Sequence, residues 1–138
     1  MKYLPNIAGG LLGLLFVVFG LMVLLKLGPT PPPPPEGTPP AQFMAAFATT
    51  GYLTFVKVLE VLGGVLVAIP RVRGFGLLVL GPIIVNILAF HTFITKREGL
   101  LGVPVLIALL ALYLLWAERK AFAGLIKPGK DAPLPGVR

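Results

Sequence analysis

Cysteine and serine are both absent from this chain of 138 residues, which also has a single histidine, His91, and a single aspartate, Asp131. Without cysteine there can be no disulfide, thiol redox centre or thiolate metal site, and without serine there can be no serine-based catalytic triad. One histidine excludes bis-histidine haem ligation within the chain and the usual multi-histidine zinc site. We therefore predict no metal site and no covalently bound cofactor, and the sequence indicates no enzyme class.

Charged residues are also scarce, at 12% of the chain, whereas hydrophobic residues reach 57%. The mean hydropathy of +0.94 lies well outside the range of ordinary soluble domains. The net charge of +7 does not indicate nucleic acid as a partner, because the basic residues stand in short groups between apolar runs. The lipid bilayer is the predicted environment.

Four apolar segments are each long enough to cross the hydrocarbon core of a membrane. They cover residues 7–25, 51–69, 75–94 and 100–117. Short turns join the last three segments and force neighbouring helices to run antiparallel. We therefore predict an all-α fold, an integral membrane four-helix up-down bundle formed by residues 1–122, followed by a basic cytoplasmic tail at 123–138.

The basic residues between these spans predict the orientation. If both termini are cytoplasmic, eight lysines and arginines lie inside and three lie outside, as the positive-inside rule requires. On the outer side, the proline-rich stretch 28–40 is expected to be an extended spacer. Residues 41–50 follow it, with Phe43, Met44 and Phe47 spaced to form one apolar face, and predict a short interfacial helix.

Glu60 lies near the middle of the second span, and Lys57 is three residues earlier on the same helical face. An ionisable group at this depth costs several kcal/mol unless it is paired or meets water, so it usually marks a site. Counting residues from the span ends puts Asn86 at the depth of Glu60 and His91 near the level of Lys57. These four side chains are the candidate ligand-binding residues.

Two glycines on the face of Glu60, Gly63 and Gly64, complete the candidate site, because they leave space either for close helix packing or for a ligand. Every member has a structural alternative. Glu60 and Lys57 can form an ion pair that only fixes helix register, Asn86 can bond another helix, and His91 can bond a backbone carbonyl. Asn86 and His91 are also about 140° apart around an ideal helix, so both cannot point at one spot.

Six further residues have predicted structural roles. Gly81 and Pro82 are expected to kink the third span, because proline has no N–H to donate to the preceding turn. Trp116 is expected to anchor the fourth span at the inner membrane surface. Three glycines on one side of the first span should allow close contact with another helix of the chain: Gly9, Gly13 and Gly20.

The segment from residue 51 to 116 resembles the DoxX-like family of small four-span membrane proteins. The resemblance rests on three stretches: Lys57-Val-Leu-Glu-Val-Leu-Gly-Gly64, Gly81-Pro-Ile-Ile-Val-Asn-Ile-Leu-Ala-Phe-His91 and Leu112-Tyr-Leu-Leu-Trp116. It implies a four-helix bundle, residence in the bacterial inner membrane and an association with redox systems. The outer proline-rich stretch and the chain after Phe122 lie outside the family pattern.

Two functions from different classes follow from these patterns. The first is an accessory subunit that binds a quinone-like or other lipophilic molecule beside Glu60, with a membrane oxidoreductase as the partner that supplies electrons. The alternative is a non-enzymatic assembly factor, a chaperone whose polar layer recognises the transmembrane helices of another protein. A proton-linked transporter is a third interpretation, which would require the chain to associate with further copies of itself.

Overall fold

The computed structural model describes residues 3–126, which form six α-helices and one π-helical turn and contain no β-strand. The elements are α1 (Leu4–Leu24), α2 (Pro39–Thr49), α3 (Tyr52–Ala68), α4 (Arg73–Ala89), the π-helical turn (Phe90–Ile94), α5 (Val103–Ala117) and α6 (Arg119–Ile126). The all-α prediction is confirmed for this part of the chain. Residues 127–138, which make up most of the predicted basic tail, lie outside the described residues.

Within residues 3–126, two helices are long and apolar enough to cross a membrane: α1, and α4 together with the π-helical turn. A third crossing is obtained if α2 and α3, which meet at a bend of 80°, are counted as one broken span. The apolar helix α5 has 15 residues and is shorter than an ordinary span. Length and composition therefore support a membrane protein with two spanning helices, or three.

The helices α1, α3, α4 and α5 share one core. Both α1 and α4 pack against α3 and against α5. Their buried apolar side chains form a single cluster: Ala8, Leu12, Phe16, Val67, Leu77, Leu80, Ile84, Ile107, Ala111 and Leu114. The same helices expose many large apolar side chains on their outer faces, as expected for surfaces that contact lipid.

The contact between α1 and α3 is the most extensive in the molecule and depends on glycine. A Cβ on Gly64 would lie 2.9 Å from the carbonyl oxygen of Gly13, and a Cβ on Gly13 would overlap the carbonyl oxygen of Gly64. Gly9 faces the end of α3 and Gly20 faces its first half, so the two helices run antiparallel. The predicted close packing of the first span is confirmed, and its partner is α3.

The helix α2 lies outside this core and has no buried residue. It follows the proline-rich segment 29–35, which is neither helical nor strand-like, and it begins at Pro39, because proline is well suited to the first turn of a helix. Its Phe43 ring lies 4.9 Å from the ring of Phe90, the first residue of the π-helical turn that follows α4. The predicted helix at 41–50 therefore exists, starts two residues earlier and contacts the core helices through aromatic side chains.

Three helix starts differ from the predicted spans by two or three residues, those of α1, α4 and α5, and α4 begins at Arg73 instead of residue 75. Helix α1 begins at Leu4, three residues before the predicted start, since Pro5 can occupy its first turn. Helix α5 begins at Val103 rather than at residue 100, because the preceding residues form turns. The short helix α6 was not predicted, and it crosses the expected domain boundary after residue 122.

Candidate functional site

The ion pair of Lys57 and Glu60 lies on α3, where the helix brings residues three apart onto one face. The Lys57 Nζ donates a hydrogen bond of 2.8 Å to Oε2 of Glu60. The two side chains differ in access, since Lys57 is 20% exposed and Glu60 only 5%. The structure therefore brings together the two charged residues that the sequence singled out and leaves one of them reachable from the surface.

Part of the Glu60 carboxylate remains unused. Its Oε2 atom accepts from Lys57, and no residue within 3–126 donates a hydrogen bond to Oε1. Among these residues every fully buried side-chain nitrogen or oxygen has a hydrogen-bond partner, so Oε1 must retain contact with the molecular surface. Lys57 has two further N–H groups beyond the one it donates to Glu60. The pair can thus both donate to and accept from a small polar group.

The space beside Gly63 and Gly64 is already filled. A Cβ on Gly63 would lie 2.6 Å from Leu80 of α4, and a Cβ on Gly64 would lie 3.0 Å from Val17 of α1. Both glycines are buried. Of the two alternatives for these residues, the structure shows close helix packing, and any ligand must approach the ion pair from the side of Lys57.

Asn86 does not point toward Glu60. It is exposed on α4, and its Nδ2 donates a 3.0 Å hydrogen bond to the carbonyl oxygen of Pro82, one turn earlier in the same helix. Helix α4 continues on both sides of Pro82, and no other described residue lies within 4 Å of a Cβ placed on Gly81. The depth along the span predicted a level for Asn86 but not the direction of its side chain, which depends on the position of Asn86 around the helix.

His91 lies in the π-helical turn, whose wider spacing changes the direction of its side chains. Its Nδ1 is 2.9 Å from the carbonyl oxygen of Ile87, and its carbonyl oxygen accepts hydrogen bonds from the Thr95 hydroxyl and the Arg97 amide. Because Nδ1 faces a carbonyl oxygen, it carries the proton there, and Nε2 is the nitrogen left over. His91 makes no hydrogen bond with Lys57 or Glu60.

Trp116 is 61% exposed near the end of α5, with the guanidinium of Arg119 lying 4.5 Å above its ring. The Arg119 side chain also donates to the carbonyl oxygen of Trp116 at 2.7 Å. An exposed tryptophan beside a cation at a helix end is typical of a membrane interface. The anchoring role of Trp116 stays a prediction that its position supports.

A second polar cluster was missed by the sequence analysis. Arg73, the first residue of α4, is 2% exposed, and its guanidinium donates three hydrogen bonds. The acceptors are the Val67 carbonyl oxygen at 3.2 Å, Oε1 of Glu118 at 3.2 Å and Oδ1 of Asn6 at 2.9 Å. We name Arg73 with these three residues the arginine clasp. It joins the start of α1, the end of α3, the start of α4 and the junction of α5 with α6.

Some members of the clasp could have been recognised from the sequence. In the orientation that the charges predict, Arg73 is one of the eight basic residues on the inner side, where a cation is normally free in the headgroup region. In that orientation Asn6 and Glu118 also fall at the inner ends of their predicted spans, and either one offers oxygen acceptors to a guanidinium. Gly9 also lies one turn from Asn6, and a Cβ there would come within 2.7 Å of Nε of Arg73.

Comparisons of this chain with protein-family models, with curated proteins and with solved structures found no significant match.

Proposed function

We propose that this chain is a DoxX-like multi-pass membrane protein, an accessory subunit of a redox-linked membrane system that binds a quinone-like or other lipophilic molecule at Lys57 and Glu60. The observation that carries the proposal is the incomplete bonding of a charged pair in an apolar helix. Oε1 of Glu60 accepts nothing from residues 3–126, and Lys57 is 20% exposed. Such a pair is costly in an apolar layer unless another polar group completes it.

The chemistry of the pair defines the ligand. A carbonyl oxygen on the head group would accept from the ammonium of Lys57, and a hydroxyl would donate to Oε1 of Glu60. The rest of the ligand must be apolar, because it would lie in the hydrocarbon layer against the apolar helix α3. A lipophilic quinone offers the carbonyl oxygen and its reduced hydroquinone form offers the hydroxyl, and Glu60 would exchange a proton with this head group. The electrons would come from a partner oxidoreductase, since the chain has no cysteine and one histidine.

The same proposal includes the finer architecture. Helices α3 and α5 would cross the membrane with their flanking turns, beside α1 and α4, and give a four-helix up-down bundle in the bacterial inner membrane. The antiparallel contacts of α3 with α1 and with α4 support this arrangement. Both termini would be cytoplasmic, so that the arginine clasp lies at the inner surface and the Lys57–Glu60 pair in the outer half.

The test is mass spectrometry of lipophiles extracted from gently purified protein, for the wild type, Glu60→Gln and Glu98→Gln. Glu98 is an exposed glutamate in the turn before α5 and serves as the matched control. We expect one lipophile per wild-type chain, its retention in Glu98→Gln and its loss in Glu60→Gln.

Equal retention by Glu60→Gln would show that any bound molecule lies elsewhere. Wild-type protein that carries no lipophile would overturn the proposal and favour the assembly-factor function, in which the ion pair recognises a helix of another protein. In that case Glu60→Gln should weaken a partner complex instead.

A further inference from the structure

The outer face of α4 presents an incompletely bonded carboxamide to the bilayer. Asn86 lies eight residues before Ile94 and thirteen after Arg73, near the middle of a span that length and composition identify as membrane-crossing. Its Nδ2 uses one N–H on the Pro82 carbonyl oxygen, which leaves the second N–H and Oδ1 without a partner among residues 3–126. In hydrocarbon no water completes these bonds, and each unsatisfied group costs free energy.

The face around Asn86 suits contact with another helix. Four exposed residues lie along one side of the span at spacings of seven, four and seven: Phe75, Pro82, Asn86 and Phe93. Only 17% of this span is buried within the chain, against 33% for α1.

The donor and the acceptor of the Asn86 carboxamide favour a second copy of this chain as the partner that covers this face. A carboxamide has both a donor and an acceptor, so it complements itself, whereas a different protein would need its own polar group at the same depth. Two copies inserted with the same topology place Asn86 at the same depth automatically, and a two-fold axis along the membrane normal pairs the two amides reciprocally. We infer that the Asn86 face of α4 is the interface of a homodimer, held in the apolar layer by a reciprocal Asn86–Asn86 hydrogen-bonded pair.

Energy transfer between copies in vesicles of phosphatidylcholine and phosphatidylglycerol measures the association. The chain has no cysteine, so Glu98→Cys in the exposed turn provides a single labelling position. We expect Asn86→Leu to lower the association constant by about fivefold, a change typical of losing interhelical hydrogen bonds in a bilayer. Asn86→Gln should retain most of the association because it keeps the carboxamide, and Val65→Leu on the exposed side of α3 should leave it unchanged.

Disulfide crosslinking in native membranes locates the interface. The test variant is Val85→Cys, because Val85 is next to Asn86 in the chain and is 65% exposed. The control is Leu109→Cys on α5, because Leu109 is 60% exposed but lies on another helix. We expect oxidised dimers from Val85→Cys, fewer of them when Asn86→Leu is added, and few from Leu109→Cys. Equal energy transfer by the wild type and Asn86→Leu, equal crosslinking at both positions, or crosslinking of Val85→Cys mainly to another protein would each overturn the inference. None of these readouts depends on a ligand at Glu60.

Discussion

The Lys57–Glu60 pair and the arginine clasp are both ion pairs within an apolar protein, yet they are built differently. Lys57 and Glu60 are one turn apart on one helix, so helix formation alone brings them together. Arg73 bonds to residues that are 67 positions before it and 45 positions after it, so its bonds form only when the helices have packed. The Lys57–Glu60 pair therefore depends only on the formation of α3, whereas the arginine clasp depends on the complete fold.

The two sites also differ in how far their polar atoms are used. The Arg73 side chain is almost completely buried and its guanidinium donates to three acceptors, whereas the Lys57–Glu60 pair has one hydrogen bond and keeps an unused carboxylate oxygen. A buried charge whose three nitrogens all donate to other segments holds helices together, and a partly bonded charge beside an accessible lysine can still bind a ligand. This contrast indicates a structural role for the clasp and supports our proposal that the pair binds a ligand.

The largest effect is expected from Arg73→Met, which removes the centre of the clasp. Glu118 and Asn6 then lose their shared donor, and we expect a loss of about 3 kcal/mol in the free energy of unfolding. Denaturation in detergent micelles, followed by circular dichroism, measures it. Arg71→Met removes the same charge from an exposed neighbour and should change stability little. A similar loss in both variants would show that Arg73 acts through net charge alone.

Alanine substitutions at two glycines of α1, Gly9 and Gly20, test whether the clasp is packed more rigidly than the part of α3 near the Lys57–Glu60 pair. A Cβ on Gly9 would meet Nε of Arg73 at 2.7 Å and the Val67 carbonyl oxygen at 2.9 Å, neither of which can move without breaking the clasp. A Cβ on Gly20 would meet a Val61 methyl group at 2.7 Å, which can shift more easily. We expect Gly9→Ala to cost about 2 kcal/mol and Gly20→Ala less than about 1 kcal/mol, measured by the same unfolding assay.

Gly10→Ala is the control for these glycine variants, because no described atom lies within 4 Å of a Cβ at that position. Alanine there should be neutral or stabilising by up to about 1 kcal/mol through its higher helix propensity. If Gly20→Ala cost more than Gly9→Ala, the clasp would not be the more rigid of the two sites.

The Lys57–Glu60 pair is tested by a double-mutant cycle, which isolates the interaction between the two charges. Lys57→Met leaves a nearly buried carboxylate with no other donor in residues 3–126, so it should destabilise by about 1–3 kcal/mol. Adding Glu60→Gln removes the unpaired charge and should recover part of this loss, with a coupling energy of about 1 kcal/mol. Strictly additive losses in the unfolding free energy would mean that the two charges do not stabilise each other.

The local features could be predicted from the sequence. Helical periodicity is enough to place Lys57 beside Glu60, and hydropathy is enough to find α1 and α4, because both depend on neighbours in the chain. The spacing of Gly9, Gly13 and Gly20 predicted a close contact with another helix. Only the structure shows that this helix is α3. Membrane location follows from the same hydropathy and is supported by the two long apolar helices.

The long-range features could not be predicted in this way. Depth along a span places Asn86 level with Glu60, but rotation around α4 decides that it faces outward and bonds to Pro82. No residue pattern indicated the π-helical turn, which sets the direction of His91. The arginine clasp combines residues from four separate segments, and charge counting treated Arg73 as a free cation because it contains no information on which helix ends meet.

The arginine clasp also has a consequence for biogenesis. Asn6 and Val67 precede Arg73 in the chain, so they are already synthesised when α4 enters the membrane, but Glu118 follows 45 residues later. Until then the guanidinium has no carboxylate partner and must stay among the lipid headgroups, as long cationic side chains do. The arrival of α5 supplies the missing charge, so burial of Arg73 marks a chain whose last helix has been inserted. A chain that ends before residue 118 would keep an exposed cation where the helices should meet, a difference that membrane quality-control proteases could recognise.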